Sequence, residues 1–516
     1  MLKHPAIPAI VLIFLCSMAG MVIAQRRLPT IEDLLTVKSL GGSQISPDGK
    51  WVAYTVTETD FKQDSYLTHV WLAQPATGRT YQLTRGEKSC NNAQWSPRGD
   101  WLTFTSNRVG DKSQLFAIRP DGGEAVQLTK AENGVNNYAW SKDGRQIAYT
   151  APDADPQEVK ARKDHLGDFE VVRREYDYSQ IWTFDVAEAL KAPLAGLQRT
   201  RGHELNVNSF SWAPDGRQIA FSATVTPDLI NGDSAEIYLL SLADNSVKKL
   251  VSQPGPDNNP RWSPDGKQII FTSAMGNPKF FHANSRLAVV PVEGGAPRSI
   301  TNHLDEQPSF VEWTGEGVYF ASLQKTASHL FLVDPATGQF RRVTAPDNLM
   351  AGGFSFTEDG RQIAFTAASP NSLNELFISP VAGFAPRQLT FMTDQVKDLT
   401  LGRREVISWA SRDGAQIEGV LIKPADFDPS KKYPLLCIIH GGPTGIDRPL
   451  LLDNRYYPSD LWAGRGALIL KVNYRGSAGY GEKFRQLNLR NLGVGDEWDV
   501  LSGVDHLIKQ GWVDAK

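Results

Sequence analysis

Trp262-Ser263-Pro264-Asp265-Gly266 decides the fold, because the chain returns to this pattern again and again. Earlier copies are Ile45-Ser46-Pro47-Asp48-Gly49, Trp95-Ser96-Pro97-Arg98-Gly99, Trp140-Ser141-Lys142-Asp143-Gly144 and Trp212-Ala213-Pro214-Asp215-Gly216. Later ones are Trp313-Thr314-Gly315-Glu316-Gly317 and Phe356-Thr357-Glu358-Asp359-Gly360. Ser-Pro-Asp-Gly suits a type I turn. The serine caps it, the proline presets φ, and the glycine takes the positive φ beyond. The residues after the turn alternate, as in Gln218-Ile219-Ala220-Phe221-Ser222 and Gln362-Ile363-Ala364-Phe365-Thr366. Alternation of this kind predicts a half-buried strand, so each turn joins two antiparallel strands.

A second element comes after each turn, for example Leu115-Phe116-Ala117-Ile118 running on to Leu128-Thr129, or Leu330-Phe331-Leu332-Val333 running on to Val343-Thr344. Turn residues such as Asp121-Gly122-Gly123 separate the two halves, which predicts another hairpin. Four strands recurring every 43 to 51 residues, with one interval of 72, predict the blades of a β-propeller. Seven blades sharing a continuous core are expected, with the opening tryptophans filling the gaps between neighbouring sheets. The long interval carries about 25 extra residues, and its stretch from Asp153 to Asp177 is rich in both charges. Two readings are open for it: a binding loop on one face, or a solvated loop or short helix. Asparagines precede several turns (Asn91-Asn92, Asn136-Asn137, Asn208, Asn258-Asn259). They read first as turn residues entering the innermost strand, and second as a polar ring around a central channel.

From Arg403 the pattern changes. Val406-Ile407-Ser408-Trp409 and Ile417-Glu418-Gly419-Val420-Leu421-Ile422 flank Arg412-Asp413-Gly414, a hairpin signature. Leu435-Leu436-Cys437-Ile438-Ile439 is a continuous apolar run, as expected of a strand buried on both faces, and leads into His440-Gly441-Gly442-Pro443. Ala467-Leu468-Ile469-Leu470-Lys471-Val472 is a second such run, ending in Asn473-Tyr474-Arg475-Gly476-Ser477. Val500, Val504, Leu507 and Ile508 then share one face of a helix. Buried strands alternating with helices predict an α/β sheet. The fold class is therefore multidomain: a seven-bladed propeller over residues 25–395, then an α/β domain over 396–516, which the family resemblance that follows implies is the first part of an α/β-hydrolase domain.

The repeat over residues 38–392 resembles the propellers of the prolyl oligopeptidase family and of the translocation protein TolB. His-Gly-Gly-Pro after one buried strand, with Asn-Tyr-Arg-Gly-Ser-Ala-Gly-Tyr-Gly after the next, resembles the hydrolase domain of the prolyl oligopeptidase family. The His-Gly-Gly-Pro form resembles its acylaminoacyl-peptidase and dipeptidyl-peptidase branch. That resemblance implies acyl transfer on short peptides by a serine, a histidine and an aspartate, with preorganised N–H donors for the oxyanion. It places the loop donor at Gly441-Gly442, with the Gly442 amide preferred. Some relatives use a tyrosine where this chain has His440, which reads instead as a loop-packing residue. Arg475 is a candidate substrate contact through a carboxyl or carbonyl group, with a loop-shaping salt bridge as the other reading. The dipeptidyl members hold the peptide amino terminus with a glutamate pair. No adjacent Glu-Glu occurs in the insertion here, so Glu170 and Glu175 are the candidates.

Gly-x-Ser-x-Gly does not occur in the 516 residues. Gly353-Phe354-Ser355-Phe356-Thr357 lacks the last glycine and falls in a blade. In this fold the order is Ser, Asp, His, all after the helix ending near Gly511. None of the triad is therefore expected here, and the sequence reads as a fragment of a serine peptidase that is inactive as written. The reading from another class is a non-catalytic binding propeller with a vestigial hydrolase segment.

Composition narrows the partners. A net charge of −3 without long basic runs gives nucleic acid no electrostatic footprint. The three cysteines, Cys16, Cys90 and Cys437, form no metal-ligand or disulfide pattern, so neither a cofactor nor a metal is expected. The partner expected is a short peptide; a homo-oligomer is compatible with the sequence. Residues 1–24 carry Lys3, an apolar run from Ile10 to Leu15, and Val22-Ile23-Ala24 before a cut. They read as a signal peptide cleaved near Ala24, which predicts a periplasmic or secreted protein.

Overall fold

The structure, a computed structural model of the chain, describes residues 26–154, 157–167, 169, 176–452 and 456–515. Residues 1–24, read from the sequence as a signal peptide, lie outside them.

The repeated turn forms as its chemistry dictates. At Ser263 the hydroxyl donates to Asp265 Oδ1 (2.6 Å) and accepts the Gln268 amide (2.9 Å), while the Gly266 amide closes the turn on the Ser263 carbonyl at φ +70°. Ser46, Ser141 and Thr357 build the same arrangement with Asp48, Asp143 and Asp359. Each turn links the first two strands of a four-stranded antiparallel unit. Among the described residues seven such units succeed one another, over 39–82, 91–127, 138–198, 206–251, 257–299, 308–342 and 350–388. The last two are joined laterally by the single parallel bridge Ser328–Met350. The first unit packs against the last. Leu40, Ile45 and Val52 share a core with Leu376 and Ile378, and the Ile45 amide donates to Ser355 Oγ (2.9 Å).

The tryptophans stitch neighbouring units together. Trp95 Nε1 donates to the Gln44 carbonyl (2.8 Å), Trp212 Nε1 to Ala139 (3.0 Å) and Trp262 Nε1 to Ser211 (3.2 Å), each in the preceding unit. Innermost strands carry a recurrent bulge at or next to the position four residues before the turn serine or threonine. Gly42, Asn92, Asn259 and Gly353 hold that position at φ between +52° and +60°. Glycine and asparagine are the residues that enter this left-handed region at least cost. Asn92 and Asn259 are thus bulge residues, whereas Asn136, Asn137 and Asn208 do not take the left-handed conformation. Asn92, Asn137, Asn208 and Asn259 also line a central cavity, so the channel reading holds together with the local one. In the long third unit, helix Gln157–Leu166 has no buried residue and lies on the surface, consistent with the solvated-helix reading.

The C-terminal sheet contains β1 (Arg403–Ala410), β2 (Gln416–Lys423), β3 (Leu435–Ile438) and β4 (Leu468–Asn473), in the order β1-β2-β4-β3. β1 and β2 form the predicted hairpin, and β3 runs parallel to β4. The helices are α1 (Ser459–Gly464), α2 (Glu482–Gln486) and α3 (Gly495–Lys509). β4 is buried along its whole length. β3 is not, contrary to the expectation from its apolar run: Leu436 is 36% and the following Ile439 58% exposed. The reason is lateral, since among the described residues β3 pairs with β4 alone and is a sheet edge. Helix α3 is most buried at Gly495, Asp499, Gly503 and Leu507, and Val500 and Ile508 of the expected stripe pack against the same core. A Cβ at Gly503 would lie 2.8 Å from the Trp409 ring, so the glycine sets how closely α3 meets the sheet.

Candidate active site: an oxyanion-type loop braced from β4

The chain leaves the C-terminal end of β3 through His440-Gly441-Gly442-Pro443. Gly442 has φ +137°, and a Cβ there would sit 2.7 Å from the Thr444 and Gly445 amide nitrogens. Only glycine accepts that backbone. Gly441 and Gly442 are exposed, and their amides meet no acceptor among the described residues. Free N–H groups on a rigid turn at the C-terminal end of a parallel strand can stabilise a developing oxyanion.

The loop is held by the segment after β4. Tyr474 Oη donates to the His440 carbonyl (2.6 Å), and the two rings stack 4.5 Å apart. His440 Nε2 meets Ser477 Oγ (3.0 Å), and that hydroxyl donates to the Tyr474 carbonyl (2.6 Å). The Ala478 amide fixes the far side through the Gly445 carbonyl (3.1 Å). His440 is therefore a bracing residue, as expected. Burial pushes the Tyr474 phenol up, so it stays a neutral donor.

Arg475 is not available to a substrate. Its side chain is 1% exposed and grips Asp499 through Nε (2.9 Å) and Nη2 (2.7 Å). Nη1 and Nη2 reach Asp413 at 2.8 and 3.0 Å. These bonds to Asp499 and Asp413 raise the guanidinium pKa, and the Arg475 bonds hold Asp413 down to about 2. The substrate-contact expectation for Arg475 gives way to the loop-shaping one: the head group is spent tying β4 to α3 and to the β1–β2 turn. Glu170 and Glu175 lie outside the described residues.

Sequence reasoning missed the propeller side of this region. Glu306 Oε2 accepts the Gly479 amide (2.6 Å) and the Gly481 amide (3.3 Å). The Lys325 amide donates to the Gly479 carbonyl (2.6 Å), and Lys325 Nζ pairs with Glu418 (2.6 Å). Arg286 meets Glu482 at 3.1 Å. One nine-residue segment, Asn473–Gly481, thus braces the oxyanion-type loop, locks α3 and docks on the propeller. Glu306 and Lys325 sit in irregular connections, and no local pattern marks them. Among the described residues no group of three or more His, Cys, Asp or Glu side chains is placed to hold a metal.

The chain thus combines seven four-stranded antiparallel units with an α/β segment whose glycine loop presents N–H groups that meet no acceptor among the described residues. Residues 456–516 match the model of the Prolyl oligopeptidase family. The chain is 26% identical to the uncharacterized peptidase YuxL of Bacillus subtilis, over 94% of this chain and 76% of that protein. It is 24% identical to dipeptidyl-peptidase 5 of Porphyromonas gingivalis, over 94% of this chain and 73% of that one. Among solved structures, the acylaminoacyl peptidase of Pyrococcus horikoshii superposes with a TM-score of 0.75 at 20% identity, covering 95% of this chain and 74% of its own. An acylaminoacyl peptidase in complex with Z-Gly-Gly-Phe-chloromethyl ketone superposes at 0.74 and 19% identity, covering 94% and 73%. Residues 456–516 thus match the prolyl oligopeptidase family, and the chain as a whole is similar to peptidases in sequence and in fold.

Proposed function

We propose that these residues form the propeller and the oxyanion-donor part of an exported serine peptidase that acts on short peptides by acyl transfer. The seven units close into a seven-bladed ring over 25–395, and the hydrolase domain begins at 396. The observation that carries this reading is the Gly442 amide: exposed, without an acceptor among the described residues, and fixed on a turn only glycine can make. The peptide bound as a chloromethyl ketone to the acylaminoacyl peptidase supports the substrate class. Release of a dipeptide or of an acylated residue fits the relatives equally. The polypeptide of these 516 residues alone does not hydrolyse peptides, because oxyanion donors without nucleophile and base lack the acylation step.

The test is kinetic, in the polypeptide extended through the reading frame downstream of residue 516. Gly442→Ala forces the loop to move and is expected to lower kcat by about 10²–10³ with little change in KM, the signature of a lost transition-state donor. An unchanged kcat removes Gly442 from the oxyanion site.

A further inference from the structure

The innermost strands of the antiparallel units enclose a cavity of about 910 Å³ that the hydrolase segment does not touch. Its size falls in the roughly 300–1,000 Å³ range of small-ligand sites. Its wall combines Trp212 and Trp262 with five charged side chains: Asp359, which pairs with Arg361, and the four others Lys142, Arg261, Glu312 and Glu358.

None of those four is ion-paired among the described residues. The Arg261 guanidinium makes one hydrogen bond, from Nη1 to the Pro260 carbonyl (2.9 Å). Glu312 accepts one, from the neighbouring Trp313 amide (3.2 Å). Burial pushes Arg261 down and Glu312 up, and their mutual attraction opposes both shifts without bringing them into contact. Lys142 contributes to the field on Glu312. Arg261 is half-buried and Glu312 is exposed, so their unpaired heads stand open to a ligand in the cavity. A guanidinium with most of its donors free matches a carboxylate through two parallel bonds, and a carboxylate with open lone pairs matches an ammonium.

We propose that the central cavity is a second binding site, for short peptides with free termini, in which Arg261 takes the α-carboxylate and Glu312 the α-ammonium. The indole edges accommodate apolar side chains between them. The site is separate from the Gly441-Gly442 loop and holds whether or not that loop takes part in hydrolysis.

The tryptophans that line the cavity report on it. Fluorescence of the purified 516-residue chain at low micromolar concentration is titrated with Ala-Ala-Phe, with its C-terminal amide and with its N-acetyl form. The free peptide is expected to bind with saturation, and each capped form at least about tenfold more weakly, as expected for losing a charge-assisted bond. Arg261→Gln should abolish the preference for a free carboxylate and Glu312→Gln the preference for a free amine. Arg261→Lys, which keeps the charge and loses the fork, should fall between and serves if the glutamine variant does not fold. Equal binding of free and capped peptides, no saturable binding, or affinities unchanged in Arg261→Gln, Arg261→Lys and Glu312→Gln would overturn the proposal. Unchanged affinities in those variants would put the peptide elsewhere, without bearing on the Gly442 test.

Discussion

Replacing Asp499 by alanine isolates what the buried Arg475 cluster does. Asp499 is fully buried and Arg475 is 1% exposed. The substitution removes two charge-assisted bonds to the guanidinium and a third from the Arg475 amide (2.8 Å). It leaves a buried cation facing only Asp413, whose side chain is 39% exposed. Breaking a buried pair by removing one partner costs about 3–5 kcal/mol, most of it from the charge left behind. The loss should fall on α3, whose Asp499 carbonyl also accepts Trp409 Nε1 (2.9 Å). Hydrogen exchange followed by mass spectrometry over Gly495–Lys509 reads it directly. A loss of about 3 kcal/mol raises exchange through opening by about 150-fold. The double variant Arg475→Met, Asp499→Leu should recover at least half of that protection, since neither charge is then stranded. A rise below about tenfold in Asp499→Ala, or a double variant as exposed as the single, would refute the reasoning.

Two further outcomes rest on single residues. Burial lifts Asp257 to about 6, and its Oδ2 has no hydrogen-bond partner. Because the folded value lies above the unfolded 3.8, its stabilising contribution is complete below that value and is lost as pH rises through about 6. Between pH 4 and pH 8 the wild-type protein should lose about 2.5 kcal/mol relative to Asp257→Asn. Parallel melting-temperature profiles for the two proteins would contradict this. The exposed edge β3, with Leu436 and Ile439 open, is a template for pairing with another chain. The 516-residue polypeptide should self-associate with rising concentration, Leu436→Lys should suppress this, and a polypeptide ending at Gln395 should stay monodisperse in size-exclusion chromatography. Elution of the 516-residue polypeptide that does not change with concentration, or association unchanged in Leu436→Lys, would remove β3 as the cause.

Local chemistry could be read in advance. Ser263-Pro264-Asp265-Gly266 contains its own cap, its own φ constraint and its own positive-φ residue, so the turn and its repeats were legible. The His440–Pro443 loop was legible for the same reason: two adjacent glycines after an apolar run mark a backbone that must bend tightly. Burial set by lateral neighbours was not legible. Leu435–Ile438 has the composition of a strand covered on both faces, yet its exposure depends on which strands flank it. Asp499 reads as a first-turn acid favoured by the helix dipole, whereas the fold turns it inward onto Arg475. Glu306 meets Gly479 across 173 positions of chain, and nothing near Glu306 announces that partner. Asn92 and Asn259 are bulge residues by local preference and, with Asn137 and Asn208, cavity residues only once the units are assembled.

The central proposal is that Gly442 supplies an oxyanion donor of a serine peptidase whose nucleophile is not among residues 1–516, which contain no Gly-x-Ser-x-Gly. A fluorophosphonate probe with intact-mass and peptide-level mass spectrometry tests it most directly. The 516-residue polypeptide is predicted to remain unlabelled, and the polypeptide extended through the downstream reading frame to take up one label, on a serine beyond Lys516. Stoichiometric labelling of any serine within residues 1–516, or a downstream frame without a labelled serine, would contradict the account.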